Sequence, residues 1–139
     1  MNTVMIAAFL LGSVFKTDCI QTQSSQLQGY VIDTVAFGYQ GAPHDITFSR
    51  EWFTDSFCQN SQGKNETEKG TYLLGSMVST QSLFSSQNLI EADFSIEGRM
   101  DKELGAISVS SDKDFIQIAR GFGRFRNTMV SLFKYKKQN

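Results

Sequence analysis

Few side chains in this sequence could take part in acid–base, nucleophilic or metal chemistry. His44 is the only histidine, and Cys19 and Cys58 are the only cysteines among 139 residues. A zinc site needs three or four ligands, and no CxxC or HxxxH spacing groups such ligands here. His44 and Asp45 are adjacent, so on a strand their side chains point to opposite faces, which does not suit a triad with Cys58. We therefore expect no metal centre and no catalytic triad.

Carboxylates alternate along one stretch of the chain, at Glu91, Asp93 and Glu97. Two carboxylates about 5 to 9.5 Å apart can hydrolyse a glycosidic bond, and alternating acids on a strand meet that spacing. The solvated face of an antiparallel strand shows the same pattern, and we interpret these acids in that way. The sequence also lacks a glycine-rich phosphate loop, a nucleophile elbow and a dinucleotide fingerprint. We expect a protein with no enzymatic activity and no cofactor.

Nucleic acid is not an expected partner. Thirteen Lys+Arg against fourteen Asp+Glu leave a net charge of -1, so no global field attracts DNA. The segment 120–125, RGFGRF, has some residue types of the RNP1 hexamer, whose aromatic side chains stack on RNA bases. Arg124 stands where that motif has an aromatic residue, so we do not expect RNA binding either.

Basic residues crowd the last twenty residues, and no acidic residue follows Asp114. The candidate contact residues there are Arg120, Arg124, Lys134, Lys136 and Lys137. They could contact an anionic surface such as a phosphate, a lipid headgroup or an acidic protein subunit. The alternative is a solvated charged end. A membrane surface therefore stays among the candidate partners, through this basic C-terminus.

An apolar run, MNTVMIAAFLLGSVF, occupies residues 1–15. Its length fits a signal-peptide core of about 7–15 residues and falls short of the roughly 20 residues of a membrane-spanning helix. However, no Lys or Arg precedes the run, and no Ala-x-Ala-like site follows it. Three interpretations stay open: a cleaved leader, a buried core element, and a membrane anchor.

Cys19 and Cys58 allow one disulfide, which would form if the chain is exported; in a reducing cytosol both would be thiols. Asn65 begins the sequon Asn-Glu-Thr and would carry a glycan in a eukaryotic secretory pathway. The sequence does not decide the compartment.

The elements that must position these residues are mostly strands. Alternating apolar and polar residues predict strands over 30–39, 44–49, 71–78 and 89–98, a hairpin across 98–105, a strand from 106 to 110, and a last strand within 127–137. Residues 51–58 fit either a helical turn or a strand, and 59–70 is predicted to be a polar loop. Gly75 marks a predicted β-bulge.

One short helix is predicted near residues 112–120, because Ser110-Ser111-Asp112 has the residue types of a helix N-cap. Turn signals about every 8–12 residues favour a mainly β protein, a small antiparallel β-sandwich or barrel. We expect an apolar leader-like or buried segment at 1–15, a polar linker at 16–29 and a single β-rich domain at 30–139.

Low charge, 12% aromatic residues and the lack of a catalytic set predict a non-enzymatic structural or interaction protein. It would form homo- or hetero-oligomers as a subunit of a larger assembly, such as a virion or a surface appendage. The alternative is a secreted, disulfide-closed binding module. Such a module would recognise a glycan or a host protein through loops around Trp52, Phe53 and the segment 59–70.

Thiol alkylation followed by intact-mass measurement separates these two hypotheses. Assembly in a reducing cytosol predicts that both cysteines of the natively produced protein are alkylated and that Met1 is retained. Secretion predicts no alkylation before reduction and a mature N-terminus near residues 16–20. Two alkylated cysteines would contradict the secreted module, and none would contradict assembly in a reducing compartment.

Overall fold

The computed structural model describes residues 3–23, 28–38, 42–79, 88–120 and 134–138. Within these ranges one helix, α1 (Thr3–Leu10), precedes nine strands. The strands are β1 (Val14–Lys16), β2 (Ile20–Gln23), β3 (Gln28–Phe37), β4 (Asp45–Phe53), β5 (Ser61–Ser79), β6 (Asn88–Ile96), β7 (Glu103–Val109), β8 (Phe115–Ala119) and β9 (Tyr135–Lys137). No helix in these ranges has both the length and the apolar character needed to span a bilayer.

The strands form a closed antiparallel barrel. From β3 to β9 each strand pairs with the next one along the chain, and β1 pairs with β9 on one edge and with β3 on the other. Eight strands therefore close on themselves, and β2 is an additional strand on β3. This architecture confirms the predicted mainly β fold of the barrel or sandwich type.

The barrel interior holds one main apolar core. Strand β6 shows how the sequence builds it, because Ile90, Ala92, Phe94 and Ile96 alternate with polar residues and are all buried. The same core includes Ile6 and Leu10 of α1, together with Phe15, Val35, Phe37 and Ile46. The backbone N–H of Gly12 donates to the carbonyl of Phe37, which fixes α1 at the end of the barrel where β3 finishes. The apolar N-terminal segment thus packs as part of the core.

Strands β1 and β2 lie end to end along the same edge of β3. Lys16 pairs with Thr34, and Ile20 pairs with Val31. Between them, Thr17 donates its N–H to the Asp33 carbonyl and accepts the Asp33 N–H at its hydroxyl. Part of the segment predicted to be a polar linker, 16–29, is therefore strand. The alternation of apolar and polar residues did not reveal this strand, because β2 consists mostly of polar residues and has no regular apolar face.

The predicted loop over 59–70 is also wrong, since β5 begins at Ser61. Its first half pairs with β4, and its second half pairs with β6. Polar residues occupy both faces of the first half, so apolar alternation could not reveal it. The register shift between Leu74 and Met77 confirms the irregularity predicted at Gly75.

The helix predicted near 112–120 is wrong as well, because Phe115–Ala119 forms β8 and the helix of the described structure is α1. The Ser110 hydroxyl accepts the N–H of Phe115, and the Asp112 carboxylate accepts the N–H of Asp114. The Asp112 bond spans two residues, as an N-cap bond would, whereas the Ser110 bond spans five. Together they close the β7–β8 turn instead of starting a helix.

Other predictions are confirmed within about two to four residues, including the strands at β3, β4 and β6 and the hairpin between β6 and β7. Glu51–Phe53 of the ambiguous segment completes β4, and a turn follows it. The last strand is confirmed only over Tyr135–Lys137, since 127–133 lies outside the described residues.

We expect Leu10→Ala to lower the free energy of unfolding by about 2–5 kcal/mol, because Leu10 is fully buried in the barrel core. Val4→Ala on the same helix is the matched control, since Val4 is 76% exposed and its truncation should change stability by less than about 0.5 kcal/mol. Urea denaturation of both variants is the measurement. Equal stabilities would contradict the role of α1 in the core.

Candidate functional site

Charged side chains line the interior of the barrel in the half away from α1. On β3 the inward side chains of Phe37 and Val35 are apolar, and the next one, Asp33, is charged. On β4 the inward side chain of Phe48 is apolar, and the next one, Arg50, is charged. These residues surround an open cavity of about 480 Å³, which we call the mouth cavity. Its charged and aromatic lining residues are Asp33, Arg50, Glu66, Glu68, Arg99, Arg120, Phe48 and Tyr135.

One wall of the mouth cavity carries a two-pronged ion pair. Asp33 and Arg50 are directly opposite each other on β3 and β4. The Arg50 Nε donates to Asp33 Oδ1 at 2.7 Å, and Nη2 donates to Oδ2 at 2.9 Å. This hydrogen bond, opposed by burial and assisted by the charge of Asp33, raises the pKa of Arg50. The parallel bonds hold the guanidinium plane in a defined orientation.

The other wall carries a cluster of four charged residues from different elements. Glu68 lies on β5, Arg99 in the β6–β7 turn, Glu103 on β7, and Arg120 directly after β8. The Arg120 Nε donates to Glu103 Oε2 at 2.8 Å, and its Nη1 donates to Glu68 Oε1 at 3.2 Å. Arg99 also donates to both glutamates. Each arginine therefore bridges both carboxylates, and the cluster ties three strands together.

The contacts within this cluster favour the charged forms of Glu68 and Arg120. Burial alone would raise the pKa of Glu68, but hydrogen bonds and charges from Arg120 and Arg99 outweigh burial, and the pKa lies below its ordinary value. Burial likewise acts to lower the pKa of Arg120, yet Glu103 and Glu68 raise it overall. The Arg120 guanidinium also lies 4.1 Å from the centre of the Phe48 ring. The Glu68 carboxylate can therefore accept hydrogen bonds at neutral pH and is poorly suited to donate a proton.

Tyr135 places a neutral phenol beside both groups of charges. Burial, together with the charge of Asp33, raises the pKa of Tyr135 to about 12, while Arg50 and Arg120 act in the opposite direction. At neutral pH the phenol therefore stays protonated and can both donate and accept a hydrogen bond.

The structure relocates two predicted binding residues. Trp52 and Phe53 are 4% and 7% exposed and end β4, so they do not form an exposed recognition loop. The β4–β5 register shifts between Glu51 and Phe53, which lets two successive side chains be buried. The Arg50 guanidinium and the Lys64 ammonium lie 5.8 and 5.7 Å from the centre of the Trp52 ring.

The four predicted basic contact residues that the structure describes near the C-terminus, Arg120, Lys134, Lys136 and Lys137, do not all share one surface. Arg120 turns into the mouth cavity, where carboxylates occupy it. Lys137 lies over the Phe9 ring and Lys134 over the Phe115 ring, while Lys136 is exposed on β9. Arg124 lies outside the described residues.

Other candidate residues lie apart from the cavity. The sulfurs of Cys19 and Cys58 are bonded, which joins the junction between β1 and β2 to the β4–β5 turn. Asn65 is exposed on β5, and His44 is exposed just before β4, with its ring 6.5 Å from that of Tyr72. Among the described residues, no group of three or more His, Cys, Asp or Glu is arranged to hold a metal ion.

Sequence reasoning found only Arg120 of the charged cavity residues. A usable signal was present, because Asp33 interrupts the apolar series between Val31 and Val35, and Arg50 interrupts that between Phe48 and Trp52. A charged residue at an inward strand position indicates either a partner inside the barrel or a cavity there.

We expect the free energy of unfolding to fall as the pH rises from about 10 towards 12. The folded state keeps Tyr135 protonated up to a pKa of about 12, whereas an unfolded tyrosine ionises near pH 10. Tyr135→Phe should show a shallower fall over the same pH range, measured by urea denaturation alongside tyrosinate absorbance. An identical pH dependence in both proteins would contradict the raised pKa.

Comparisons with known proteins assign no family to this geometry. No family model, curated protein or solved structure matches the chain. The function of the mouth cavity must therefore be argued from its own residues and their contacts.

Proposed function

We propose that this chain is a non-enzymatic binding protein whose mouth cavity holds one small polar ligand. An eight-stranded barrel is wide enough either to be filled by side chains or to hold one small molecule. Here side chains fill the half near α1, and the other half opens into the cavity of about 480 Å³. That volume lies within the usual range of small-molecule sites, about 300–1,000 Å³. The open, charged half of a closed barrel is the observation that carries the proposal.

The energetics of the charged wall support a binding role. Removing charges from water is costly, and replacing a buried ion pair by apolar residues is often neutral or stabilising. The side chain of Asp33 is only 17% exposed, and its pairing with Arg50 offsets the cost of removing its charge from water. The pairing does not explain why charged residues, instead of apolar ones, occupy these positions. A ligand that uses the oriented donors and acceptors would explain it, since preorganised groups lose little entropy on binding.

This proposal keeps the disulfide-closed binding module but moves the recognition site from loops to the cavity. It requires that α1 and β1 stay in the mature protein, because β1 closes the barrel and α1 packs in its core. The bonded Cys19 and Cys58 support an oxidising compartment, because such bonds persist in exported proteins and are rare in the cytosol. The proposed ligand meets Arg50, Arg120 and Tyr135 instead of exposed aromatic residues.

A subunit of a larger assembly, of the virion or appendage type, is the second candidate. It is favoured by the exposed apolar side chains of Val4, Met5 and Leu11 in and after α1. Clustered apolar exposure marks many protein contact sites. This surface is at the α1 end of the barrel, so binding in the mouth cavity and assembly through α1 are compatible.

A cavity-filling variant tests the binding proposal. Glu66→Phe places a large side chain at the cavity lining, and Glu51→Phe places the same side chain on the outer face of the neighbouring strand as a control. Binding of lactose, betaine, citrate and adenosine monophosphate would be followed by NMR, using the backbone and arginine Nε signals.

We expect at least one of these probes to perturb the signals of Arg50 and Arg120 in the wild type. Glu66→Phe should weaken that binding by more than about tenfold, because the added ring occupies the ligand's volume. Glu51→Phe should leave the binding unchanged. The proposal fails if no probe perturbs the cavity, or if the perturbation survives Glu66→Phe in a folded protein.

A further inference from the structure

We propose that the ligand of the mouth cavity is a neutral, hydroxyl-rich molecule of the saccharide class. This inference rests on the proposed binding function and specifies the chemistry that the site selects. Three observations carry it: the charge balance of the lining, the hydrogen-bonding groups that the ion pairs leave available, and the occupation of the aromatic surface.

The charges that line the cavity balance one another. Three carboxylates, on Asp33, Glu66 and Glu68, face three guanidinium groups, on Arg50, Arg99 and Arg120. Glu103 adds one negative charge behind the wall, and the Lys64 ammonium lies 3.8 Å from the Glu66 carboxylate. The site therefore has little net field to concentrate a charged ligand.

A charged ligand would also have to compete with bonds already made. An anion that took Arg50 from Asp33 would leave a largely buried carboxylate without its counter-charge. A cation that took Glu68 would remove one of the two carboxylates that Arg120 bridges and leave Glu103 alone to balance Arg120 and Arg99. Removing one partner of such a pair is strongly destabilising. A neutral ligand binds without breaking either pair.

The ion pairs leave hydrogen-bonding groups of both kinds at the surface. A guanidinium has five N–H donors, and Arg50 directs two nitrogen atoms at Asp33 while Nη1 remains outside that pair. A carboxylate has about four acceptor positions, and each oxygen of Asp33 accepts one bond from Arg50. Adjacent donors and acceptors match hydroxyl groups, because each hydroxyl both donates and accepts.

The aromatic surface of the cavity is occupied. Phe48 is 8% exposed and carries the Arg120 guanidinium 4.1 Å from its ring centre. The apolar half of the barrel is filled by the core around Phe15, Phe37 and Phe94. An apolar ligand such as a fatty acid therefore cannot stack on Phe48 or enter the filled core, and hydrogen-bonding groups are the main means of recognition.

Three sugars with the same ring test this inference. Glucose is neutral, glucuronate carries a carboxylate, and glucosamine carries an ammonium group at about pH 6. Each would be titrated into the full chain at low ionic strength, with the arginine Nε signals of Arg50, Arg99 and Arg120 as the readout, and lactose would serve as a longer neutral sugar. We expect glucose or lactose to bind at these residues at least about threefold more tightly than either charged sugar.

Glu66→Gln gives a second, independent test. This substitution removes the Glu66 carboxylate from the cavity lining. It leaves the Asp33–Arg50 and Glu68–Arg120 ion pairs in place. The lining then gains one net positive charge, and glucuronate should gain about fivefold in affinity relative to glucose, the factor for one unit charge at about 4 Å in water. Glu51→Gln, which makes the same change on the outer face of β4, should leave the ratio unchanged.

The outcomes separate this inference from the proposed function. Tighter binding of glucuronate or glucosamine than of the neutral sugars at the wild-type cavity overturns the inference and leaves the binding function standing. The same holds if citrate, betaine or adenosine monophosphate binds in the cavity and no sugar does. If none of these probes perturbs the cavity, both proposals fail.

Discussion

The three residues of β1 hold the barrel closed. Val14, Phe15 and Lys16 pair with β3 on one edge, while Phe15 and Lys16 pair with β9 on the other. Without these bonds the eight strands would be an open sheet with two unpaired edges. Closure gives every strand an inner and an outer face, and it encloses Phe15 completely. The core and the mouth cavity both depend on this short strand.

The closed interior is divided along the barrel axis. Near α1 the inward side chains are apolar and buried against one another, which is the ordinary source of stability for such a fold. Next to Val35 and Phe48 the inward side chains of Asp33 and Arg50 are charged, and Val31 and Trp52 are buried beyond them. The guanidinium groups at the mouth remain partly open to solvent, since the Arg50 side chain is 39% exposed and that of Arg99 is 50% exposed. Partial hydration lowers the cost of burying the charges, so pairs that would be unfavourable in the core are tolerated at the mouth.

The segments beside the mouth cavity are constrained by separate contacts. The Asp55 carboxylate accepts the N–H groups of Gln59 and Asn60, which shapes the β4–β5 turn. Cys58 in that turn is bonded to Cys19, directly before β2. The β6–β7 turn is held through Arg99, which donates to Glu68 and Glu103. A cavity held in this way presents a fixed arrangement of donors and acceptors.

Sequence patterns predicted the strands β3, β4 and β6, in which apolar residues alternate along one face. They failed at β2 and at the first half of β5, where no regular apolar face exists. They also failed at β8, where the hydrogen bonds of Ser110 and Asp112 serve a turn as readily as a helix start. For the site, the sequence shows that Asp33 and Arg50 interrupt series of alternating apolar residues. Only the closed barrel shows that these two charged side chains lie on the enclosed face of their strands.

The sequence by itself determined the β class, the alternation of most strands and the small number of groups able to do acid–base chemistry. These are properties of neighbouring residues, because side chains alternate with a period of two along a strand. The tertiary structure alone decided the closure through β1, the packing of the apolar N-terminal segment and the position of the mouth cavity. Glu68 and Arg120 are 52 residues apart in the chain, and their hydrogen bond exists only because the strands that carry them meet across a closed barrel.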